Sequence, residues 1–191
     1  PGMEGGHAFA RLVFGAVSPS GRLPFTVPAD SADLPFFDRD ADDIEYGLYH
    51  GYTLLEKDGK TPAYPFGFGL SYTRFAYGEP VLDDQGDTAR VSVEVTNTGA
   101  VEAAEIVQLY AGFPNTLIDR PKKLLRGFCR LDLAPGETRT AVFEIARKDL
   151  AWYNPDAAAW QVEAVDHSLH VGCNSIDADT RSVVWPAGNA S

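Results

Sequence analysis

Ala89-Arg-Val-Ser-Val-Glu-Val-Thr96 alternates apolar and polar residues without a break. Successive side chains of a strand point to opposite faces, so Val91, Val93 and Val95 predict a buried face and Ser92, Glu94 and Thr96 a solvated one. Asn97-Thr98-Gly99 predicts a turn. Beyond it, Glu105-Ile-Val-Gln-Leu-Tyr110 is a more continuous apolar run, as a strand covered on both faces would be. Leu124 to Leu133 predicts a further strand, closed by the turn Ala134-Pro135-Gly136-Glu137. In Thr138 to Ile145, residues Ala141, Phe143 and Ile145 share a face. Asn154-Pro155-Asp156 predicts another turn ahead of a strand over Trp160 to Val165, and Ser168 to Val171 and Arg181 to Trp185 complete the series.

About seven short strands between turn signals, over about a hundred residues, predict an immunoglobulin-like β-sandwich. No Cys…Trp…Cys spacing supports the antibody-type domain, which favours a fibronectin type III-like variant. Asp83 to Asp87 superficially resembles a calcium loop but lacks its ligand spacing and terminal Glu, so a hairpin turn is expected there.

Before residue 79 the pattern differs. Residues 7–15 suit a short helix stopped by Gly15, and Ser18-Pro19-Ser20-Gly21 suits a turn. Arg22-Leu-Pro-Phe-Thr-Val-Pro28 is extended, and its prolines fit an edge strand or a covering arm. Residues 29–45 are acidic and rich in turn formers, and Tyr46 to Leu55 is expected to regain order as a strand or arm. In Thr61-Pro-Ala-Tyr-Pro-Phe-Gly-Phe-Gly-Leu-Ser-Tyr72, four aromatics alternate with Gly and Pro, predicting a bent loop whose rings are packed at a junction between two domains. The first 78 residues are too short and irregular to bury a core of their own, and a chain opening in mid-turn reads as a piece of something longer.

Sixteen basic against 27 acidic residues give a net charge of -11. That balance argues against nucleic acid and anionic membranes as partners, because phosphate binding rests on basic side chains. It is compatible with neutral ligands such as sugars. No apolar run is long enough to span a membrane. Cys129 and Cys173 stand far apart and in no metal-ligand spacing, so two buried free thiols are expected.

The chain resembles the C-terminal part of glycoside hydrolase family 3, the β-glucosidase group. The upstream likeness rests on Pro1-Gly2-Met3-Glu4-Gly5-Gly6, Pro19-Ser20-Gly21-Arg22-Leu23-Pro24, Tyr46-Gly-Leu-Tyr-His-Gly-Tyr52 and Tyr64-Pro-Phe-Gly-Phe-Gly-Leu-Ser-Tyr-Thr73. The downstream likeness, to the family's appended fibronectin type III-like domain, rests on Val95-Thr-Asn-Thr-Gly99, Val107-Gln-Leu-Tyr110, Arg120-Pro-Lys-Lys-Leu124 and Leu133-Ala-Pro-Gly-Glu-Thr138. One departure stands at Ala164-Val165-Asp166-His167, where the family usually carries a glycine-containing turn. The resemblance implies a mainly β chain in two parts. Residues 1–78 would be the trailing part of an α/β sandwich domain with its linker arm, and residues 79–191 the β-sandwich. It also implies an upstream barrel whose Asp is the nucleophile, and an acid/base Glu upstream of Pro1. Neither has a counterpart in this sequence.

The residues themselves agree that no catalytic, cofactor-binding or metal-ligating position can be assigned. Retaining glycoside hydrolysis needs two carboxyl groups about 5–5.5 Å apart, one kept protonated by its surroundings. The acidic cluster Asp38, Asp40, Asp42, Asp43 and Glu45 sits in a polar, turn-rich stretch where solvation keeps carboxylates ionised. Glu4, near a helix start, suits capping better than catalysis. For Arg22 a buried or half-buried salt bridge that holds the arm outweighs a substrate contact. His167 and His170 form an H-x-x-H pair lacking a third ligand, while His7 and His50 are expected to be packed. Two functions follow: a scaffold portion of a glycosidase, inactive alone, or a free-standing sandwich that binds carbohydrate or protein. In the second, Trp152 and Tyr153 would be the more open aromatics and Trp160 a core residue.

Overall fold

The computed structural model describes residues 2–188. Regular structure is sparse before residue 75. Helix α1 covers Gly5–Val13, and the two-residue strand β1 (Val27–Pro28) pairs antiparallel with β2 (Pro62–Tyr64); between them runs helix α2 (Tyr52–Lys57). Gly15, at a φ of 74°, supplies the left-handed residue that stops α1. The segment Tyr46–Leu55, expected as a strand or arm, instead turns into α2. Gly51 takes a φ of 55°, and the Thr53 hydroxyl both accepts from the His50 N–H and donates to its carbonyl, closing the first turn. Side-chain capture of the backbone overrides the strand pattern here.

From residue 75 onward the regular structure is mainly strands. They are β3 (Phe75–Tyr77), β4 (Val81–Asp84), β5 (Thr88–Asn97), β6 (Ala103–Gly112), β7 (Lys123–Leu133), β8 (Thr138–Ala146), β9 (Trp152–Asn154), β10 (Ala159–Gln161), β11 (His167–Gly172) and β12 (Thr180–Trp185). One sheet has the order β12-β11-β6-β7. The other is centred on β5, with β8 along one side and β3 and β4 in series along the other. Every pairing is antiparallel.

The alternation in β5 lands where period two puts it. Val91, Val93 and Val95 are buried and register against β8, with Val91 opposite Phe143 and Val93 opposite Ala141. The facing sheet contributes Val107, Leu109, Ala111, Leu169, Val171 and Trp185 to the same core. Burying each large apolar side chain of this set contributes roughly 1.5–3 kcal/mol before entropy is subtracted. Asn97, fully buried at the turn, donates to the carbonyls of Val101 and Leu133 and accepts from the Thr73 hydroxyl and the Gly99 N–H. Its amide is saturated, so burial is tolerated. The Asp83–Asp87 stretch is the expected hairpin turn, with Gly86 at a φ of 83°.

Trp160 departs from expectation. The strand predicted over 160–165 ends at Gln161, and Trp160 is 71% exposed. Strands β9 and β10 pair only with each other, so this hairpin has no neighbouring sheet to cover it. Trp160 lies directly opposite Tyr153 with ring centroids 5.7 Å apart, while Trp152 is the half-buried member. Among the described residues no helix is long and apolar enough to cross a membrane.

Candidate functional site

The most organised polar cluster lies where the arm after α1 meets the sandwich. Arg22 Nη2 donates to Glu105 Oε2 at 2.5 Å, and the Tyr77 hydroxyl donates to Glu105 Oε1 at 2.7 Å. The Glu105 side chain is 2% exposed and that of Arg22 12%, which makes this the salt bridge expected to hold the arm. Burial pushes the Glu105 carboxyl above its ordinary range, against the pull of Arg22 and Tyr77. Burial and the neighbouring carboxylate together push the Tyr77 phenol far upward. A cavity of about 250 Å³ opens beside the cluster, bounded by Arg22, Tyr77, Cys173 and Asn174.

Backbone contacts extend the grip. Leu23 N–H donates to the Phe68 carbonyl, and Gly67 N–H donates back to the Leu23 carbonyl. Glycine is required at two places. A Cβ on Gly69 would stand 2.3 Å from Arg22 Nη1, and one on Gly67 would stand 2.1 Å from Gln108 Oε1. Gln108, buried in β6, donates to the carbonyls of Gly67 and Cys173 and accepts from the Tyr110 hydroxyl. The aromatic loop is thus pinned to the face of β6 turned away from the core. Phe66 packs tilted against Tyr52 and Tyr110 packs edge-on to it, with centroids at 5.1 and 6.1 Å.

Helix α2 makes a second tether. Lys123 in β7, only 4% exposed, pairs with Glu56 and Asp177. Burial raises the Glu56 carboxyl while Lys123 lowers it. The Tyr52 hydroxyl accepts from the Leu125 N–H, and Lys122 donates to the Glu56 carbonyl. A carboxyl raised by its surroundings is what a general acid requires. Here Glu56 and Glu105 each face a fixed cation, and they act as anchors of the arm.

The other residues singled out in the sequence do not converge. Asp38, Asp40, Asp42, Asp43 and Glu45 are all exposed, with Asp38 accepting from the Asp40 N–H as in a turn. Glu4 occupies the N-cap position of α1 but makes no side-chain cap bond. His7 and His50 are exposed rather than packed; His7 stands on α1, none of whose residues is buried, and His50 serves α2 through its backbone. His167 and His170 fall on opposite faces of β11. His167 is fully buried, and His170 shares a hydrogen bond with Ser168. Among the described residues no three His, Cys, Asp or Glu side chains are grouped to hold a metal. Cys129 and Cys173 are free and half-buried. Sequence reasoning missed Glu105, Gln108 and Lys123 as anchors. The available signal was polar residues inside or beside the most apolar run, where burial demands a partner.

Large apolar side chains stand exposed in the upstream part. No residue of α1 is buried; Phe9 is 68% exposed and Phe14 86%, and Phe36, Phe37, Leu48 and Leu70 stand open beyond it.

Fold and seam define a fibronectin type III-like sandwich that grips an irregular arm. Residues 1–72 match the glycosyl hydrolase family 3 C-terminal domain, and residues 105–175 match a fibronectin type III-like domain. A β-glucosidase of Rhizobium radiobacter is 40% identical over 189 residues, which cover 93% of this chain and 23% of that protein. The solved structure of the β-D-glucoside glucohydrolase from Trichoderma reesei superposes over 97% of this chain with a TM-score of 0.90 at 31% identity, and the match covers 29% of that protein. The β-glucosidase 3B of Thermotoga neapolitana, solved in complex with glucose, superposes over 97% with a TM-score of 0.87 at 34% identity and 27% coverage. The chain belongs to glycoside hydrolase family 3, of which it carries the C-terminal region with the fibronectin type III-like domain. It spans about a quarter of the length of these relatives.

Proposed function

We propose that this chain is the structural C-terminal portion of a β-glucosidase-type glycoside hydrolase and contains neither the nucleophile nor the acid/base. The observation that carries this reading is the set of exposed large apolar side chains within residues 2–72, on a chain matching only about a quarter of its relatives. So many large apolar side chains left open within one short region point to a missing contact. The partner is the upstream barrel and α/β domains of the parent enzyme, and a neutral glycoside or oligosaccharide reaches this chain only through them. The division falls at residue 78. Residues 1–78 complete the α/β domain and lend strand β3 (Phe75–Tyr77) to the sheet centred on β5, and the chain from residue 79 onward supplies the rest of the sandwich, which anchors the arm through Glu105, Gln108 and Lys123.

The test is turnover. The 191-residue chain, assayed on an aryl β-glucoside, is expected to show no hydrolysis above buffer. Supplying the upstream domains, covalently or in trans, should restore it. Enzyme-like turnover by the chain alone, lost when Asp38, Asp40, Asp42 and Asp43 are replaced by Asn, would overturn the reading.

The exposed pair Tyr153 and Trp160 favours a second function, a module that stacks on sugar faces. Titration with cello-oligosaccharides while following tryptophan fluorescence separates the two. A saturable change lost in Trp160→Ala supports binding; no change at millimolar sugar rejects it.

A further inference from the structure

His167 is the buried titratable group with no task in the seam. Its side chain is fully buried, and neither ring nitrogen has a hydrogen-bond partner. It sits at the start of β11, opposite Trp185 at the end of β12, with Phe113 packed edge-on to it at 5.6 Å and Trp185 at 6.4 Å. Each of these rings carries a guanidinium on its surface. Arg120 lies 3.4 Å from the centroid of Phe113, and Arg147 lies 4.2 Å from that of Trp185.

The two cations are held in place. Arg120 donates to the Leu150 carbonyl, and Arg147 donates to the carbonyls of Gly86 and Pro186. The carboxylates nearby are committed elsewhere. Glu163 pairs with Arg120 and accepts from Thr116 and Leu117, and Asp166 accepts from the Ala187 N–H. Across the indole, Asp84 accepts from Trp185 Nε1. An imidazolium would be a third positive charge between two fixed ones, in an apolar slot and with no acceptor in reach.

We propose that His167 is an acid-sensitive lock at this end of the sandwich, closed while the ring is neutral and opened when it takes a proton. Opening separates the Phe113 and Trp185 rings and frees the short helical turn Arg147–Leu150, which joins β8 to the β9–β10 hairpin. Burial first, then Arg147 and Arg120, hold the imidazole below its ordinary value of 6.5, while Glu163 and Asp166 pull weakly the other way. A histidine depressed in the folded state contributes stability that is complete above pH 6.5 and lost as pH falls. Below that point the opening constant rises by up to tenfold per pH unit, the limit for one proton. Glu56 and Glu105, raised by burial, act with the opposite sign and cannot mimic the effect.

Amide hydrogen exchange on the 191-residue chain, corrected for the intrinsic rate, tests this at pH 7.0, 6.0 and 5.0. The expected result is a loss of protection at Phe113, His167 and Trp185 of up to tenfold between pH 6.0 and 5.0. That loss should persist in His170→Gln and vanish in His167→Phe. If the loss instead follows His170, or is unchanged in His167→Phe, the proposal fails. Should His167→Phe not fold, the imidazole signal of wild-type His167 decides. It must stay neutral in the folded protein to well below pH 6.5, and an ordinary midpoint there overturns the lock.

Discussion

Val91, Val93 and Val95 are sealed almost completely from water, whereas Phe9, Phe14 and Phe36, larger and more apolar, stand in it. The difference lies in what each region can assemble from itself. Strands β5 and β8 pair along nine positions, and the second sheet closes over them, so every inward side chain finds a neighbour within the chain. Helix α1 has an apolar side, yet none of its residues is buried, although the Tyr72 hydroxyl donates to the Leu12 carbonyl. Amphipathicity records that a face is meant to be covered, not where the cover resides.

The largest effect should fall on the sandwich side of this contrast. Leu109→Ala, at a core position 1% exposed, is expected to lower stability by about 2–5 kcal/mol in urea denaturation. Phe14→Ser should change it by less than about 0.5 kcal/mol and reduce self-association in light scattering. If Phe14→Ser destabilises as strongly as Leu109→Ala, the apolar face is not waiting for a partner and the comparison breaks.

The seam sits between the two regimes, and Arg22→Ala sharpens where one ends and the other begins. Removing one member of a fully buried pair costs about 3–5 kcal/mol; some water access at Arg22 brings the expected loss to about 2–3. The loss should appear as faster proteolysis at Leu23–Pro28 with the sandwich core unchanged, and Arg22→Met with Glu105→Met should recover much of it. Without Arg22 the buried Glu105 carboxyl rises further above its ordinary value of 4.5. A carboxyl raised in the folded state favours docking at low pH and loses that contribution as pH rises through its folded value. Arm docking in Arg22→Ala should therefore be weaker at pH 7 than at pH 5. A pH-independent arm, or an unaffected one, would show that the ion pair is not what holds it.

Period-two patterning made the sandwich legible, because burial of a strand face is a local property of alternating residues. Long-range partners left no such trace. Glu105 lies 83 positions from Arg22, and Gln108 lies 41 from Gly67, so no window along the chain contains both ends of either contact. Helix α2 lies in a stretch whose pattern suits a strand or arm, because six residues are too few to show a helical period and the Thr53 hydroxyl that starts it acts through geometry. Trp160 was read as core because strand character was taken for sheet membership; its hairpin pairs only with itself. Arg22, by contrast, was readable as a tether, since a guanidinium on an arm made of Gly, Leu and Pro has few other ways to be accommodated.

The smallest effect concerns how the two sheets are tied at their ends. Asp84 Oδ1 accepts from Trp185 Nε1 at 3.0 Å and from the Gly86 N–H at 2.9 Å, joining β4 of one sheet to β12 of the other. The Gly86 N–H first, then the indole, hold this carboxyl below its ordinary value of 3.8. Asp84→Asn keeps a carbonyl acceptor and loses the charge, so at neutral pH the expected loss is at most about 1 kcal/mol at this exposed position. A carboxylate depressed in the folded state contributes stability above its ordinary value and loses it as pH falls through the folded one. Wild type and Asp84→Asn should therefore differ in thermal midpoint at pH 7 and draw together as pH falls below the ordinary carboxylate value. A difference that does not shrink at all as pH falls would mean that the hydrogen-bond geometry, and not the charge, ties the sheets. The sandwich would then close by shape alone, while the arm depends on buried charge.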